Sequence, residues 1–315
     1  MRTLRIIFMG TPDFAVASLR AILNNQYEVA AVITAPDRPA GRGRKLQQSA
    51  VKQYADEENL KVLQPTNLKS PEFISQLHDL KPNVFVVVAF RMLPKEVWKI
   101  PQYGTFNLHA SLLPQYRGAA PINWAIINGE EETGVTTFFI DDKIDTGKTI
   151  INKSVKIEAS ESAGELHDRL MEAGADLVVE TLKVIKEDKA AAIPQEETTD
   201  LKSAVKLTRE NTRINWNRPL EEVFNFIRGL SPYPSAWTIL NNNGRELIVK
   251  IYKTEKKTME HQQPNGKLLR EGNNLLAAVP GGMLLLKELQ FPGKRKMPVK
   301  DLLNGFVPDQ EAKFV

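Results

Sequence analysis

The sequence predicts an α/β protein: a Rossmann-like, mostly parallel sheet domain followed by a small OB-like β-barrel domain. Three observations carry that reading. Apolar runs of strand length alternate with helical stretches up to about residue 189, an order that builds parallel sheets through right-handed crossovers. Val84 to Phe90 is apolar throughout, as in a strand covered on both faces, and is expected at the centre. Beyond residue 208 short strands are broken by Asn241-Asn242-Asn243-Gly244 and Pro280-Gly281-Gly282, the spacing of a small barrel.

In chain order, Leu4 to Met9 is a first strand, and Ala15, Leu19, Ile22 and Leu23 recur beyond it at helical spacing. Gly10 permits a tight turn between them and Pro12 suits a helix start, but there is no G-x-G-x-x-G, which argues against a dinucleotide site. Val29 to Thr34 is a strand, Val51 to Asn59 a helix, Lys61 to Leu63 a strand, and Glu72 to Leu80 a helix that stops before Pro82. Strands follow at Thr105 to His109, Val135 to Ile140 and Thr149 to Ile157, with a short helix from Pro121 to Ile127. From Ser162 to Glu187, Leu166, Leu170, Ala173, Leu177, Val178, Leu182 and Ile185 form one apolar stripe of a helix that packs on the sheet. Residues 190–207 contain Pro194 and many small or polar residues and read as a linker between a domain over 1–189 and one over 208–315. In the second domain a helical pattern covers Trp216 to Gly229. Strands are expected at Trp237 to Leu240, Leu247 to Tyr252, Gly266 to Leu269, Leu275 to Val279 and Gly282 to Leu289.

Composition narrows the chemistry. No apolar run approaches the roughly 20 residues of a membrane span, and Met1 to Gly10 lacks a signal-peptide pattern, so a cytoplasmic protein is expected. With no cysteine, disulfides and thiolate catalysis are excluded; four scattered histidines lack metal-ligand spacing, and no metal is expected. The net charge of +4 is uneven: from Thr208 onward 17 Lys and Arg face 11 Asp and Glu, giving +6, and the remaining 25 against 27 give −2. An excess of cations in one module suits a polyanionic partner.

The chemistry-bearing stretch is Phe106-Asn107-Leu108-His109-Ala110-Ser111-Leu112-Leu113-Pro114, continued by Arg117-Gly118-Ala119-Ala120-Pro121. Asn107 and His109 are two apart on a strand, so their side chains leave the same face. Pro114 ends the strand and turns the chain just beyond them. Asp145, in Asp145-Thr146-Gly147 after another apolar run, is placed to return a carboxylate to the imidazole. A His/Asp pair with a neighbouring amide can stabilise charge on a carbonyl under attack. By residue type alone, a single histidine near a strand end is more often a hydrogen-bonded structural residue. A second stretch, Ala35 to Lys45, carries two prolines, two glycines and the cations Arg38, Arg42, Arg44 and Lys45. It reads as an irregular surface loop that could follow a phosphate backbone.

Asn-x-His-x-Ser-Leu-Leu-Pro, Arg-Gly-Ala-Ala-Pro, Thr133-Gly134-Val135-Thr136 and Asp145-Thr146-Gly147 together resemble the formyltransferase family that uses 10-formyltetrahydrofolate, from Ile6 to about Gly305. The resemblance implies formyl transfer from 10-formyltetrahydrofolate to the α-amine of methionine esterified to initiator tRNA. It assigns Asn107 and His109 to the formyl oxygen, His109 as the imidazolium, with Asp145 orienting the ring. The proton for the leaving nitrogen is left to His109 or to a water held by Asp145. It also assigns Ser111, Leu112, Leu113 and Pro114 to the folate site, and Arg42 to the acceptor stem. Arg38, Arg44 and Lys45 on the same loop, and Lys294, Arg295 and Lys296 in the second domain, are the further expected tRNA contacts, in a monomeric enzyme. One departure stands out. Phe90-Arg91 replaces the family's usual Tyr-Gly, removing a residue free to adopt φ > 0 and adding a cation near the expected pteridine. Burying an unpaired guanidinium is very costly, so Arg91 is expected to face solvent or the folate glutamate tail. The catalytic string alone also permits glycinamide ribonucleotide or a nucleotide-linked aminosugar as acceptor, and a silent scaffold in an RNA-binding protein is the non-enzymatic alternative.

Overall fold

A computed structural model describes residues 2–40, 45–196 and 199–315. They form two units. One comprises Met1–Gly118, Thr133–Lys156 and His167–Ser203, the other Ala119–Glu132, Ile157–Leu166 and Ala204–Val315.

The chain begins β1 (Arg5–Gly10), α1 (Asp13–Asn24), β2 (Glu28–Ile33), β3 (Arg38–Ala40), β4 (Lys45–Gln47), α2 (Ala50–Glu57), β5 (Val62–Leu63) and α3 (Pro71–Asp79). It continues β6 (Val84–Val88), α4 (Lys95–Trp98), β7 (Thr105–His109), β8 (Arg117–Gly118), α5 (Pro121–Ile127), β9 (Glu132–Phe139), β10 (Thr149–Lys156), α6 (Ala163–Lys186) and β11 (Ser203–Ala204). The first unit is organised on a seven-stranded sheet of order β10-β9-β7-β6-β1-β2-β5. As its unbroken apolar sequence predicts, β6 is the middle strand, and all five of its residues are buried. Strands β1, β2, β5, β6 and β7 are parallel, and β9 runs antiparallel to β7.

From β1 the chain steps outward through β2 to β5, then returns to the opposite side of β1 as β6. The order therefore reverses between β1 and β6, and the carboxyl ends of strands at such a point open a crevice. Gly10 closes β1 there. A Cβ on it would lie 2.6 Å from the Ala15 Cβ and 3.1 Å from the Val88 carbonyl oxygen, so this glycine is required by the close approach of α1 to the sheet. Its φ is not positive, and the tight-turn explanation is replaced by a packing one. Helix α1 buries Phe14, Ala15, Ser18, Leu19 and Ile22, one stripe at helical spacing.

The cationic stretch expected as an irregular loop is partly a two-stranded ladder, with Arg38 opposite Gln47, Pro39 opposite Leu46 and Ala40 opposite Lys45. Proline's fixed φ is compatible with a short extended strand that has no second neighbour. Asp37 anchors its base, accepting from Lys52 Nζ at 2.6 Å and Gln64 Nε2 at 2.7 Å. Those two bonds, Lys52 first, hold its carboxyl below the usual carboxylate range.

The second unit adds α7 (Leu220–Gly229), β12 (Ala236–Asn242), β13 (Arg245–Thr258), β14 (Leu268–Glu271), β15 (Asn274–Val279), β16 (Gly282–Gln290), β17 (Met297–Pro298), α8 (Val299–Leu302) and β18 (Lys313–Phe314). Its strands run β14-β15-β16-β13-β12-β18, and the sheet curls until Leu268 N–H donates to the Ala312 carbonyl and Phe314 N–H to that of Gly266. The curled sheet is the small antiparallel barrel expected from the short strands. Asn243 (φ 50°) and Gly244 (φ 70°) make the two-residue turn between β12 and β13, and both need the left-handed region that tight hairpins use. Leu220, Val223, Phe224 and Ile227 of α7 fill the core beside Leu240, Val249, Ile251 and Leu284. The helix starts at Leu220, after Pro219. Trp216, expected inside it, instead stacks on Phe314 at 4.9 Å and donates its indole N–H to Thr238 Oγ1. Among the described residues no helix is long and apolar enough to cross a membrane.

Candidate active site

Strand β7 lies between β6 and β9. Leu108 packs on one face of the sheet against α6, where a Cβ on Gly174 would come within 2.7 Å of it. Asn107 and His109 therefore project from the other face. Asn107 sits opposite Val87, which belongs to the apolar cluster of Phe85, Leu93 and Val97 with Phe90 and Ile140 against it. The two polar groups thus stand at the carboxyl end of β7, two strands from β1, beside an apolar wall. Among the described residues no protein hydrogen bond occupies the Asn107 side-chain amide, so its N–H groups are available to a substrate carbonyl.

His109 is only 7% exposed, and its ring is held by the loop that follows its own strand. Nε2 lies 2.8 Å from the Tyr116 carbonyl oxygen and donates to it. The carbonyl is turned back by the left-handed conformation of Tyr116 (φ 60°). Asp145 Oδ2 stands 3.8 Å from Nδ1, beyond hydrogen-bond range but close enough to attract an imidazolium. Ring orientation is therefore set by Tyr116, and Nδ1 is the nitrogen left free to engage a ligand.

The loop from Ser111 to Pro114 is shaped by β9. Thr136 Oγ1 donates to the Ser111 carbonyl at 2.7 Å and accepts from Leu113 N–H at 3.2 Å. The Ser111 hydroxyl donates to the Gln115 carbonyl at 2.6 Å, and Leu112 lies where a Cβ on Gly134 would strike it at 2.5 Å. Ser111 and Leu112 thus build the loop's shape.

Asp145 is also left-handed (φ 54°), a conformation costing roughly 1–2 kcal/mol for most residues and less for Asp. Its carboxylate accepts the Gly118 N–H at 2.9 Å. Gly147 is fixed by contact: a Cβ there would fall 1.6 Å from the Phe139 carbonyl oxygen, so the turn is pressed on the end of β9. Gln195 Nε2 donates to the carbonyls of Asp145 and Gly147. Tyr116 and Gln195 are not singled out by the sequence, and Gly118 enters it only as part of the Arg117-Gly118-Ala119-Ala120-Pro121 stretch, with no role of its own. Tyr116 and Gly118 act through backbone groups, which every residue shares, and Gln195 stands in a stretch with no motif.

The turn after β6 answers the Phe90-Arg91 departure. Its left-handed residue is Ala89 (φ 48°), not Arg91. Arg91 is exposed and donates to the carbonyls of Thr66, at 3.1 Å, and Pro65. Partial burial first, and the neighbouring Arg38 second, lower its pKa from the ordinary guanidinium value.

Of the expected tRNA contacts, Arg38 is exposed on β3 and Lys45 begins β4, while Arg42 and Arg44 lie outside the described residues. Lys294, Arg295 and Lys296 are exposed, and Lys296 pairs with Glu288 at 3.0 Å over the Tyr252 ring. Arg209 and Arg213 flank Trp237 at 5.1 and 5.5 Å from its ring, a basic surface that no sequence motif marks. No cluster of metal-ligating side chains occurs among the described residues.

Residues 4–182 match the family described as Formyl transferase, and residues 206–307 match Formyl transferase, C-terminal domain. The chain belongs to the formyl transferase family. Within it, the chain is 55% identical over 313 residues to the methionyl-tRNA formyltransferase of Flavobacterium johnsoniae, covering 99% of both chains. It is 50% identical to that of Bacteroides fragilis, covering 96% of this chain and 95% of the relative. Among solved structures, HypX from Aquifex aeolicus in complex with tetrahydrofolic acid shares the formyl transferase fold, with a TM-score of 0.65 at 19% identity. The match covers 98% of this chain and 49% of HypX, so the chain spans about half of that protein.

Proposed function

We propose that Asn107, His109 and Asp145 carry out transfer of a formyl group from 10-formyltetrahydrofolate to the α-amine of methionine esterified to initiator tRNA. The single observation behind this is the convergence, at the carboxyl end of β7, of a free amide and a free imidazole nitrogen on one strand face with a carboxylate 3.8 Å away. The donor set suits a formyl carbonyl. It holds two N–H donors and neither a thiol nor a free Ser111 hydroxyl to form an acyl intermediate, because the chain has no cysteine and the Ser111 hydroxyl is committed to Gln115. Transfer is therefore direct.

The folate supplies an electrophilic carbon whose oxygen gains negative charge as the neutral amine attacks. Asn107 Nδ2 and the Nδ1–H of a protonated His109 donate to that oxygen, and Asp145 balances the imidazolium electrostatically. The attacking nitrogen loses one proton and the leaving N10 gains one. Asp145 takes the first and His109 Nδ1 gives the second, and transfer between the two returns the pair to its starting state. Ser111 to Pro114 form a wall of the folate site by the shape of their loop. The cations of residues 38–45 and of residues 208–315 engage the tRNA, the second group through phosphates. The chain is thus a catalytic part over 1–189, a connection over 190–207 and a tRNA-binding part over 208–315, in a monomer working in the cytoplasm. The choice of acceptor is open to measurement. Purified protein is given labelled formyl-folate with charged initiator tRNA, charged elongator tRNA, glycinamide ribonucleotide or a nucleotide-linked aminosugar. Label on initiator tRNA alone is expected; preferential label on either small acceptor, or none at all, overturns the assignment.

A further inference from the structure

The stretch read as a linker sends a side chain into the catalytic turn. Gln195 Nε2 donates to the carbonyl oxygens of Asp145, at 2.9 Å, and Gly147, at 2.7 Å. Its Oε1 accepts from Nε and Nη2 of Arg117 at 3.0 and 2.7 Å. The residue after Arg117 closes the circuit, since Gly118 N–H donates to the Asp145 carboxylate. Residues 117–118 and 145–147 are thus joined twice, directly at the carboxylate and through Gln195. Both donors and both lone pairs of the glutamine amide are used. Its backbone is fixed two residues earlier, where Thr149 N–H donates to the Ile193 carbonyl at 2.8 Å and Ile193 N–H returns the bond at 2.9 Å.

We propose that Gln195 is a positioning residue for the Asp145 carboxylate. By holding the carbonyls on both sides of Thr146 it sets the left-handed turn, so the carboxylate faces His109 Nδ1 before substrates bind. Only a side chain that donates twice and accepts twice at this length does so. Glutamate keeps the Arg117 bonds but sets an acceptor against two carbonyls, and methionine keeps the length but removes every bond. The inference rests on the proposed catalytic role of Asp145. A residue that merely packs would show its loss in stability, whereas one that aims a catalytic group shows it in kcat with KM unchanged.

The test uses the full chain and the variants Gln195→Glu, Gln195→Met and Asp145→Ala, measuring kcat, KM for formyl-folate and for charged tRNA, and Tm. Gln195→Glu is expected to lower kcat about 10–100-fold, the scale of a misplaced catalytic group, with both KM values near those of the unaltered chain and Tm lowered by the loss of two hydrogen bonds alone. Gln195→Met should lose at least as much; if it does not fold, Gln195→Glu decides by itself. Unaltered kcat in Gln195→Glu beside a crippled Asp145→Ala overturns the positioning role alone. Full turnover in Asp145→Ala overturns the catalytic reading of Asp145, and the positioning role with it.

Discussion

The two polar regions of this chain are built on opposite principles. At the end of β7, His109 is nearly buried, its ring is tied to the Tyr116 carbonyl, and Asp145 is held by Gly118. On the barrel, Lys294, Arg295 and Lys296 are exposed cations on a turn, and Lys296 is tied to Glu288 at the surface. Charge that develops on a substrate carbonyl must be met by donors already in place, because reorganising them during the reaction adds to the barrier. A phosphate backbone needs only the right sign of potential within about a Debye length. The difference teaches that the first region should respond to single atoms and the second to summed charge.

The sharpest way to break that comparison is at the site. His109→Ala, or Asp145→Ala, should lower kcat about 10²–10³-fold with substrate KM values nearly constant, the usual effect of losing one positioned donor or one general base. Steady-state kinetics at saturating formyl-folate check this, and full turnover in both would remove the site. Next in size is Gly147→Ala. The new Cβ meets the Phe139 carbonyl oxygen at 1.6 Å, so the turn must shift, at about 1–3 kcal/mol of stability. A thermal melt together with kcat reads it, and an unchanged melt would mean the turn is looser than its packing implies.

On the barrel the effect should be spread out. Replacing Lys294, Arg295 and Lys296 together by Ala should weaken initiator and elongator tRNA alike. The slope of log affinity against log salt should flatten by roughly 0.9 for each duplex phosphate that the protein no longer neutralises. Lys296→Ala alone should contribute least, since Glu288 already competes for its charge. Titrations at two salt concentrations decide; a loss confined to initiator tRNA would make this surface discriminating and blur the comparison. The smallest change is expected from Arg91→Gly. The left-handed residue of its turn is Ala89, and its guanidinium bonds two surface carbonyls, so turnover should be near normal and Tm lowered slightly. Failure to fold would show that the tie to residues 65–66 is structural.

Much of this architecture was determined by the sequence alone. The unbroken apolar run of β6 marked the centre of the sheet, because a strand covered on both faces has no polar side to display. The spacing of Asn107 and His109 put both on one face, because the period of a strand is two. Asn241 to Gly244 marked a break between two short strands of the barrel, because asparagine and glycine favour turns over strand interiors. What only the tertiary structure decided are the contacts made by groups without identity in the sequence, or between stretches far apart. The imidazole is oriented by the backbone carbonyl of Tyr116, not by the carboxylate that residue types suggested. Gly10 and Gly147 are required by what packs against them rather than by their own φ. Gln195 reads as one polar residue in a linker until the fold sets it between Arg117 and the Asp145 turn. Local periodicity follows from backbone geometry and is written along the chain, whereas a hydrogen bond between residues distant in sequence exists only once packing has brought them together.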